Sequence, residues 1–237
     1  MKTVLVTGAT SGIGRAIALV LAKAGHEVYA LGRSRAALSE LSSMQAGIVP
    51  IAADVTDREA LEAALSGLAI DVLVNNAGLM PPLGDFADMN IADIDATLEV
   101  NLGAAIVLAR LVAPQMRERG SGHIFFTGST AGHAPSASFS VYSAAKAGIA
   151  GFAAALRAEM SPHGVRVTEI VPGRVETALY KDILDAEARK MMYSVTAVVQ
   201  PDDIAQMVLT VLNLPDRANV SRFDIVPTRP TSPSGGK

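Results

Sequence analysis

The sequence predicts an α/β fold: a doubly wound parallel sheet with helices on both faces. Three observations carry this reading. Short apolar, β-branched runs alternate with longer stretches of helical periodicity along nearly the whole chain. The runs are apolar at consecutive positions, as strands covered on both faces are. A glycine-rich turn joins the first run to the first helical stretch.

Each element follows from its pattern. Thr3–Thr7 (TVLVT) reads as a strand. Gly12–Ala24 reads as a helix, because Ile13, Ile17, Val20, Leu21 and Ala24 fall on one apolar stripe. Glu27–Leu31 is the second strand and Ser34–Ser43 the second helix. Ile48–Ala53 is the third strand, followed by a helix over Asp57–Ser66 that Thr56 or Asp57 can cap. Ile70–Val74 is the fourth strand, and one long helix is expected over Ile91–Arg119. Gly122–Thr127 (GHIFFT), Val165–Val171 and Arg222–Val226 complete the strands, and Val141–Met160 and Pro201–Leu212 complete the helices. Crossovers between parallel strands are right-handed. No linker, charge run or repeat of roughly 20–50 residues divides the chain. Residues 1–227 are therefore expected to form one domain, with Thr228–Lys237 (TRPTSPSGGK) a flexible tail.

Composition excludes several functions. With 50% apolar and 18% charged residues in 237, disorder is excluded. Aromatics are only 4%, with no Trp, which disfavours stacking on single-stranded nucleic acid. A net charge of -3 and a pI near 5.8 disfavour binding to a phosphate backbone. The absence of Cys removes disulfides, thiol nucleophiles and Cys-based zinc sites. His26, His123, His133 and His163 show no ligand spacing, so no metal is expected. No uninterrupted apolar run of about 18 residues is present to span a membrane. The opening MKTVLVTGATSG reaches glycine too early for the apolar core of a signal peptide. A cytoplasmic location is expected, with neither nucleic acid nor membrane as partner.

The turn after the first strand reads Thr7-Gly8-Ala9-Thr10-Ser11-Gly12-Ile13-Gly14. Glycines there allow a tight turn and bring a helix N-terminus against a pyrophosphate. Gly8, Thr10, Ser11, Gly12, Ile13 and Gly14 are the candidate contacts. A tight turn with no ligand is the simpler alternative, and the position after the first strand of a βαβ unit favours the dinucleotide. The second strand ends Leu31-Gly32-Arg33-Ser34-Arg35, with no carboxylate to bind a ribose 2′-hydroxyl. Small Gly32 leaves room, and the Arg33 guanidinium can pair with a 2′-phosphate. NADP(H) is the expected cofactor.

Tyr142 and Lys146 stand four apart in a predicted helix and so share one face. A nearby cation favours a phenolate, which suits a general acid–base near neutral pH. The pair alone does not identify a site. Ser129, in Thr127-Gly128-Ser129-Thr130, lies at a strand's carboxyl end, where doubly wound sheets bind ligands. Ser129 is not in a G-x-S-x-G elbow, so a hydrolase nucleophile is not indicated. His133, four residues further on, reads most simply as a solvated loop side chain.

TGATSGIG, NNAG at Asn75–Gly78, Asn101 in EVNLG, Ser129 in TGST, Tyr142-Ser143-Ala144-Ala145-Lys146 and Pro172-Gly173 occur in this order across nearly the whole chain. In this set the chain resembles the short-chain dehydrogenase/reductase family, in its single-domain branch. The resemblance implies a Rossmann-like sheet of about seven strands. It implies Tyr142 as general acid/base, Lys146 as the cation beside it that holds the nicotinamide ribose, and Ser129 as hydrogen-bond donor to the substrate oxygen. It implies Asn101 as the anchor of a water chain to Lys146. It further implies that Asp54 and Val55 contact the adenine, and Asn76, Ala77 and Gly78 the adenosine ribose. Pro172, Gly173, Val175 and Thr177 would line the nicotinamide. Stretches such as Leu212-Asn213-Leu214-Pro215 and Ile225-Val226-Pro227-Thr228 more weakly resemble the NADP-dependent 3-hydroxy acid and serine dehydrogenase subgroup.

The segment 173–200 is long for a connection and carries Arg174, Tyr180, Lys181, Arg189, Lys190, Met191, Met192 and Tyr193. Such segments often close over a substrate. A cationic lid can hold a carboxylate; a solvated amphipathic helix explains the same residues. The helix from Tyr142 to Met160 is Ala- and Gly-rich nearly all round and should be covered on both sides, by the sheet and by another subunit. A homotetramer or homodimer is expected. The leading reading is an NADP(H)-dependent alcohol dehydrogenase or carbonyl reductase acting on a small 3-hydroxy acid, hydroxy amino acid or ketone. A 3-oxoacyl-carrier-protein reductase is the alternative, disfavoured by the acidic net charge. A non-catalytic NADP(H) sensor is a third, disfavoured because it has no need of Asn101, Ser129, Tyr142 and Lys146.

Overall fold

The computed structural model describes residues 1–180, 183–194 and 198–228. Among them, seven strands form one all-parallel sheet: β1 (Thr3–Thr7), β2 (Glu27–Gly32), β3 (Ile48–Ala52), β4 (Val72–Asn75), β5 (Gly122–Thr127), β6 (Val165–Pro172) and β7 (Arg222–Ile225). Their order is β3-β2-β1-β4-β5-β6-β7. The expected tail lies, from residue 229 on, outside the described residues, as do Lys181 and the side chains of Met191 and Met192.

The helices are α1 (Gly12–Lys23), α2 (Arg35–Met44), α3 (Arg58–Leu65), α4 (Ile91–Leu98), α5 (Ala104–Arg119), α6 (Thr130–His133), α7 (Ser140–Met160), α8 (Ala186–Ser194) and α9 (Pro201–Leu212). Helices α1, α2 and α9 cover one face of the sheet, where Ile17, Leu21, Leu38, Leu41, Ile204 and Val208 pack on β-residues such as Val6 and Phe125. Helices α3, α5 and α7 cover the other, where Leu61, Leu108, Val112 and Ile149 pack on Leu5, Leu73 and Phe126. Both faces of each central strand are thus dry, which is why β4 reads Val-Leu-Val with no alternation. Each such buried side chain contributes roughly 1.5–3 kcal/mol.

One local feature departs from the sequence reading, and two others refine it. The long helix Ile91–Arg119 is split by a π-helical turn at Glu99–Gly103, which contains Asn101. Over this stretch the mean hydropathy reaches 1.6, apolar and long enough to cross a membrane. Here it is a core element, with Ala104, Leu108, Ala109, Val112 and Met116 buried against the sheet. Helix α3 is capped by Asp57, which accepts from Ala60 N at 3.0 Å, while Thr56 turns back to Asp54. Helix α7 is covered by the sheet on one side, and Ala144, Ala147, Gly151, Ala154 and Ala155 on its other side are exposed in the single chain.

The strand order reverses direction between β1 and β4. The connections that leave their carboxyl ends therefore run to opposite faces of the sheet, α1 to one and α5 to the other, and ligands of open α/β sheets bind in the crevice this leaves. Gly8–Gly14, Asn75–Gly78 and Gly128–Ser129 all emerge at this edge.

Candidate active site

The turn after β1 is built by backbone demands. Gly8 has φ +63 and Gly12 φ +52, left-handed values that side chains disfavour. A Cβ on Gly8 would lie 2.9 Å from Ala77 Cα, so this turn and the loop after β4 are in backbone contact. Thr7 locks them together. Its Oγ1 accepts from Asn76 N and Ala77 N, each at 2.9 Å, and Asn76 Nδ2 donates to Thr7 O at 3.1 Å. Gly12 abuts Thr177, whose methyl would stand 3.1 Å from a Cβ there. Thr10, Ser11, Ile13 and Gly14 lie on the same turn and the first turn of α1.

Arg33 follows β2 with its side chain 83% exposed, and its Nη1 stands 3.9 Å from Asp54 Oδ2. The Thr56 backbone N–H holds the Asp54 carboxyl below its ordinary pKa, against the effect of partial burial, and the Thr56 hydroxyl and Arg33 add to this. Val55 is buried beside them. Gly32 does not open free space: a Cβ there would meet Thr10 Cγ2 at 2.6 Å.

At the ends of β4 and β5 the polar groups converge. Asn101 is buried, and its Nδ2 donates to Leu79 O and Thr97 O, both at 2.9 Å. The π turn makes this reach possible and leaves Oδ1 without a partner. A Cβ on Gly78 would lie 2.8 Å from that Oδ1 and 3.8 Å from Lys146 Nζ, so Asn101, Gly78 and Lys146 form one cluster. Lys146 is buried and donates to Thr127 O at 2.8 Å. Its Nζ stands 5.6 Å from the centroid of the Tyr142 ring. Ser129 caps α6, its Oγ accepting from Ala131 N at 3.2 Å, and its hydroxyl also bears on the Tyr142 phenol.

The electrostatics differ from the expectation of a lowered phenol. Burial pushes the Tyr142 phenol above its ordinary value; neighbouring Tyr180 adds to this and the Ser129 hydroxyl opposes it. Lys146 is pulled down to about 8 by burial, with the Glu169 carboxylate opposing. Desolvation dominates the phenol, and the acceptor of the Lys146 ammonium is the Thr127 carbonyl rather than the phenol. Such a tyrosine holds its proton at neutral pH, which suits a proton donor.

Two residues of this site carry no motif. Glu169 lies inside β6 with its side chain 6% exposed, and His133 Nε2 contacts its Oε1 at 2.8 Å. His133 thus remains exposed, as expected, and in addition pairs with a buried carboxylate. A carboxylate in a buried strand needs a partner, and that was the available signal.

Segment 173–200 leaves β6 through Pro172 and Gly173, whose N donates to Ile225 O at 2.8 Å. Val175 bridges to Val199, and Tyr193 OH donates to Thr177 O at 3.3 Å. A cavity of about 960 Å³ opens between α1 and this segment, walled by Gly12, Arg15, Thr177, Arg189, Lys190 and Tyr193 among others. Among the described residues, no three His, Asp or Glu side chains gather as a metal site would require.

The family model of the short chain dehydrogenases matches residues 2–188. The chain belongs to the short-chain dehydrogenase/reductase family. Its oxidoreductase relatives align over nearly their full length. An uncharacterized short-chain type dehydrogenase/reductase, y4eK of Sinorhizobium fredii, is 48% identical over 96% of this chain and 92% of its own. The NADP-dependent 3-hydroxy acid dehydrogenase YdfG of Escherichia coli K12 is 36% identical, covering 94% of each chain. Among solved structures, the closed form of a serine dehydrogenase complexed with NADP+ superposes with a TM-score of 0.93, at 33% identity and 99% coverage of both chains. This member of the short-chain dehydrogenase/reductase family therefore shares its whole architecture with an NADP+-bound relative, and the weaker subgroup resemblance falls among the same relatives.

Proposed function

We propose that this protein is an NADP(H)-dependent oxidoreductase that interconverts an alcohol and a carbonyl on a small substrate. The substrate is a 3-hydroxy acid, hydroxy amino acid or ketone, and Tyr142 is the general acid/base. The observation that carries the reading is the convergence of Tyr142, Ser129, Lys146 and Asn101 at one edge of the sheet, beside the glycine turn after β1.

The residues present fit the cofactor. The backbone contact of Gly8 with Ala77 leaves a side-chain-free cradle at the N-terminus of α1, which favours a pyrophosphate. Gly8, Thr10, Ser11, Gly12, Ile13 and Gly14 would hold it, with Arg33 at the adenosine 2′-phosphate. Asp54 and Val55 would bound the adenine, and Asn76, Ala77 and Gly78 the adenosine ribose. Pro172, Gly173, Val175 and Thr177 would bound the nicotinamide. When bound, the cofactor supplies or accepts the hydride.

The protein's own part is proton transfer and orientation. The Ser129 hydroxyl, one of its two lone pairs engaged by Ala131 N, would donate to the substrate oxygen. Tyr142 then gives that oxygen its proton in reduction and takes it back in oxidation. Lys146 keeps two N–H groups beyond its bond to Thr127 O, and these would serve the nicotinamide ribose. The free Oδ1 of Asn101 would hold water that replenishes the proton through Lys146.

One sheet built from strands between Thr3 and Ile225 supports taking residues 1–227 as a single functional unit. The exposed Ala and Gly face of α7 supports assembly into a homotetramer or homodimer. Carrier-protein reduction is a second reading, because a 3-oxoacyl-[acyl-carrier protein] reductase from Brucella melitensis superposes with a TM-score of 0.85 at 31% identity, covering 94% of this chain and 89% of its own. A screen of NADPH oxidation over ketones, 3-oxo acids and acyl thioesters separates the two. Turnover of 3-oxo acids or ketones supports the first; turnover of thioesters alone supports the second.

A further inference from the structure

Glu169 is a carboxylate inside a strand whose residues are all buried. Such a group costs several kcal/mol unless it is hydrogen-bonded and paired. The fold supplies both requirements from different elements. His133, at the end of α6, brings Nε2 to 2.8 Å from Oε1. Arg222 of β7, the register partner of Glu169, directs Nη1 at His133 Nδ1 from 3.4 Å. A proton on Nε2 satisfies both contacts: the ring donates to Glu169 and accepts from Arg222. Arg222 is in turn paired with Asp224 at 2.8 Å.

The carboxylate touches the proposed active site on two sides. A Cβ on Gly128 would collide with Glu169 Oε1, so the carboxylate fills the space beneath the Gly128–Ser129 turn. Helix α6 begins at Ser129 and ends at His133, so the Glu169–His133 contact anchors the short turn that presents the serine. The same turn lies on the catalytic helix, since a Cβ on Gly132 would stand 2.7 Å from the Lys146 backbone. Glu169 is also the carboxylate that opposes the burial of the Lys146 ammonium. The groups facing Lys146 are Tyr142 from α7, the Thr127 carbonyl from β5, Glu169 from β6, and Asn101 across Gly78. Those facing Glu169 are His133 and Lys146, with Arg222 behind the imidazole.

We propose that Glu169 is a positioning residue: through His133 it fixes the turn that presents Ser129, and its charge balances the Lys146 ammonium. The inference rests on the reading of Tyr142 and Lys146 given above. It assigns two separable roles, one of shape and one of charge.

The test is the pH profile of carbonyl reduction in Glu169→Gln and Glu169→Asp, with Tyr142→Phe run beside them. Removing a negative charge lowers the pKa of every neighbouring group, so the apparent deprotonation of the Tyr142–Lys146 pair moves to lower pH however it is shared. Glu169→Gln, which still accepts from His133, should shift the alkaline limb down by about 1 unit. Glu169→Asp keeps the charge but falls short of His133. Its limb should stay while kcat drops about 10- to 100-fold, the effect of a misplaced group. Should Glu169→Gln fail to fold, Glu169→Met removes the same charge with an apolar side chain of similar length. An unmoved limb in the folded neutral variant overturns the charge role. Parental kcat in Glu169→Asp overturns the positioning role. Retained turnover in Tyr142→Phe overturns the underlying assignment instead, so the two failures are distinguishable.

Discussion

Lys146 Nζ donates to the Thr127 carbonyl at 2.8 Å, tying helix α7 to the carboxyl end of β5. The bond crosses 19 residues of chain and holds a buried ammonium against the strand end from which Ser129 follows. It gives the cation one acceptor inside the fold and sets where its remaining hydrogens can go.

Burial of that ammonium has a stability cost. Lys146 is lowered from 10.5 to about 8, so between those values the unfolded chain binds the proton more tightly than the folded one. The cost is full below about pH 8 and fades as the pH rises towards 10.5. Lys146→Met should therefore raise Tm at pH 7 while abolishing turnover, and its advantage should shrink by pH 10. Calorimetry at both pH values checks this. A variant less stable than the parent at pH 7 would show that the Thr127 bond outweighs desolvation.

Tyr142→Phe removes one oxygen and leaves the ring in place. Turnover should fall by about 10²–10⁴-fold, the range for a positioned acid–base. NADPH affinity, read by fluorescence titration, should stay near the parental value, because the phenol serves the substrate oxygen. Loss of both together would mean that the phenolic oxygen also holds the cofactor.

Cofactor choice turns on Arg33. The parent should show a higher kcat/KM with NADPH than with NADH. Arg33→Ala should lower the NADPH value by about 10- to 100-fold, as loss of a charge-assisted contact does, and leave NADH unchanged. Gly32→Asp with Arg33→Ala should reverse the preference only when Thr10 is shortened to Ser, because Thr10 Cγ2 occupies the space beside Gly32. A parent enzyme that prefers NADH would sink the 2′-phosphate assignment.

Assembly is tested by mass. Light scattering should give a multiple of 24.5 kDa at micromolar concentration. Ala154→Glu, on the exposed face of α7, should lower that mass, since a carboxylate set into a close-packed Ala and Gly face would be desolvated without a partner. A parent that runs as a monomer refutes the homo-oligomer.

Much of the site was legible in the sequence because its parts are local. Tyr142 and Lys146 share a helix face by spacing alone, and Gly8 and Gly12 mark turn positions that need positive φ. His133 and Glu169 were not legible as a pair. They are 36 residues apart, on α6 and β6, and meet only because β5 and β6 are neighbours. The upward direction of the Tyr142 shift was not legible for the same reason: spacing reveals the cation, but not the burial that dominates the phenol.

By itself the sequence determined the strand and helix order, the two-sided burial of the sheet, the glycine turn and the Tyr142–Lys146 spacing. All of these depend on side-chain volume, polarity and backbone freedom within a few residues. The tertiary structure alone decided where the strand order reverses, between β1 and β4, the π turn that aims Asn101 at Gly78, and the balance of desolvation against charge at Lys146. Those depend on which distant segments exclude water from one another, and no local pattern carries that information.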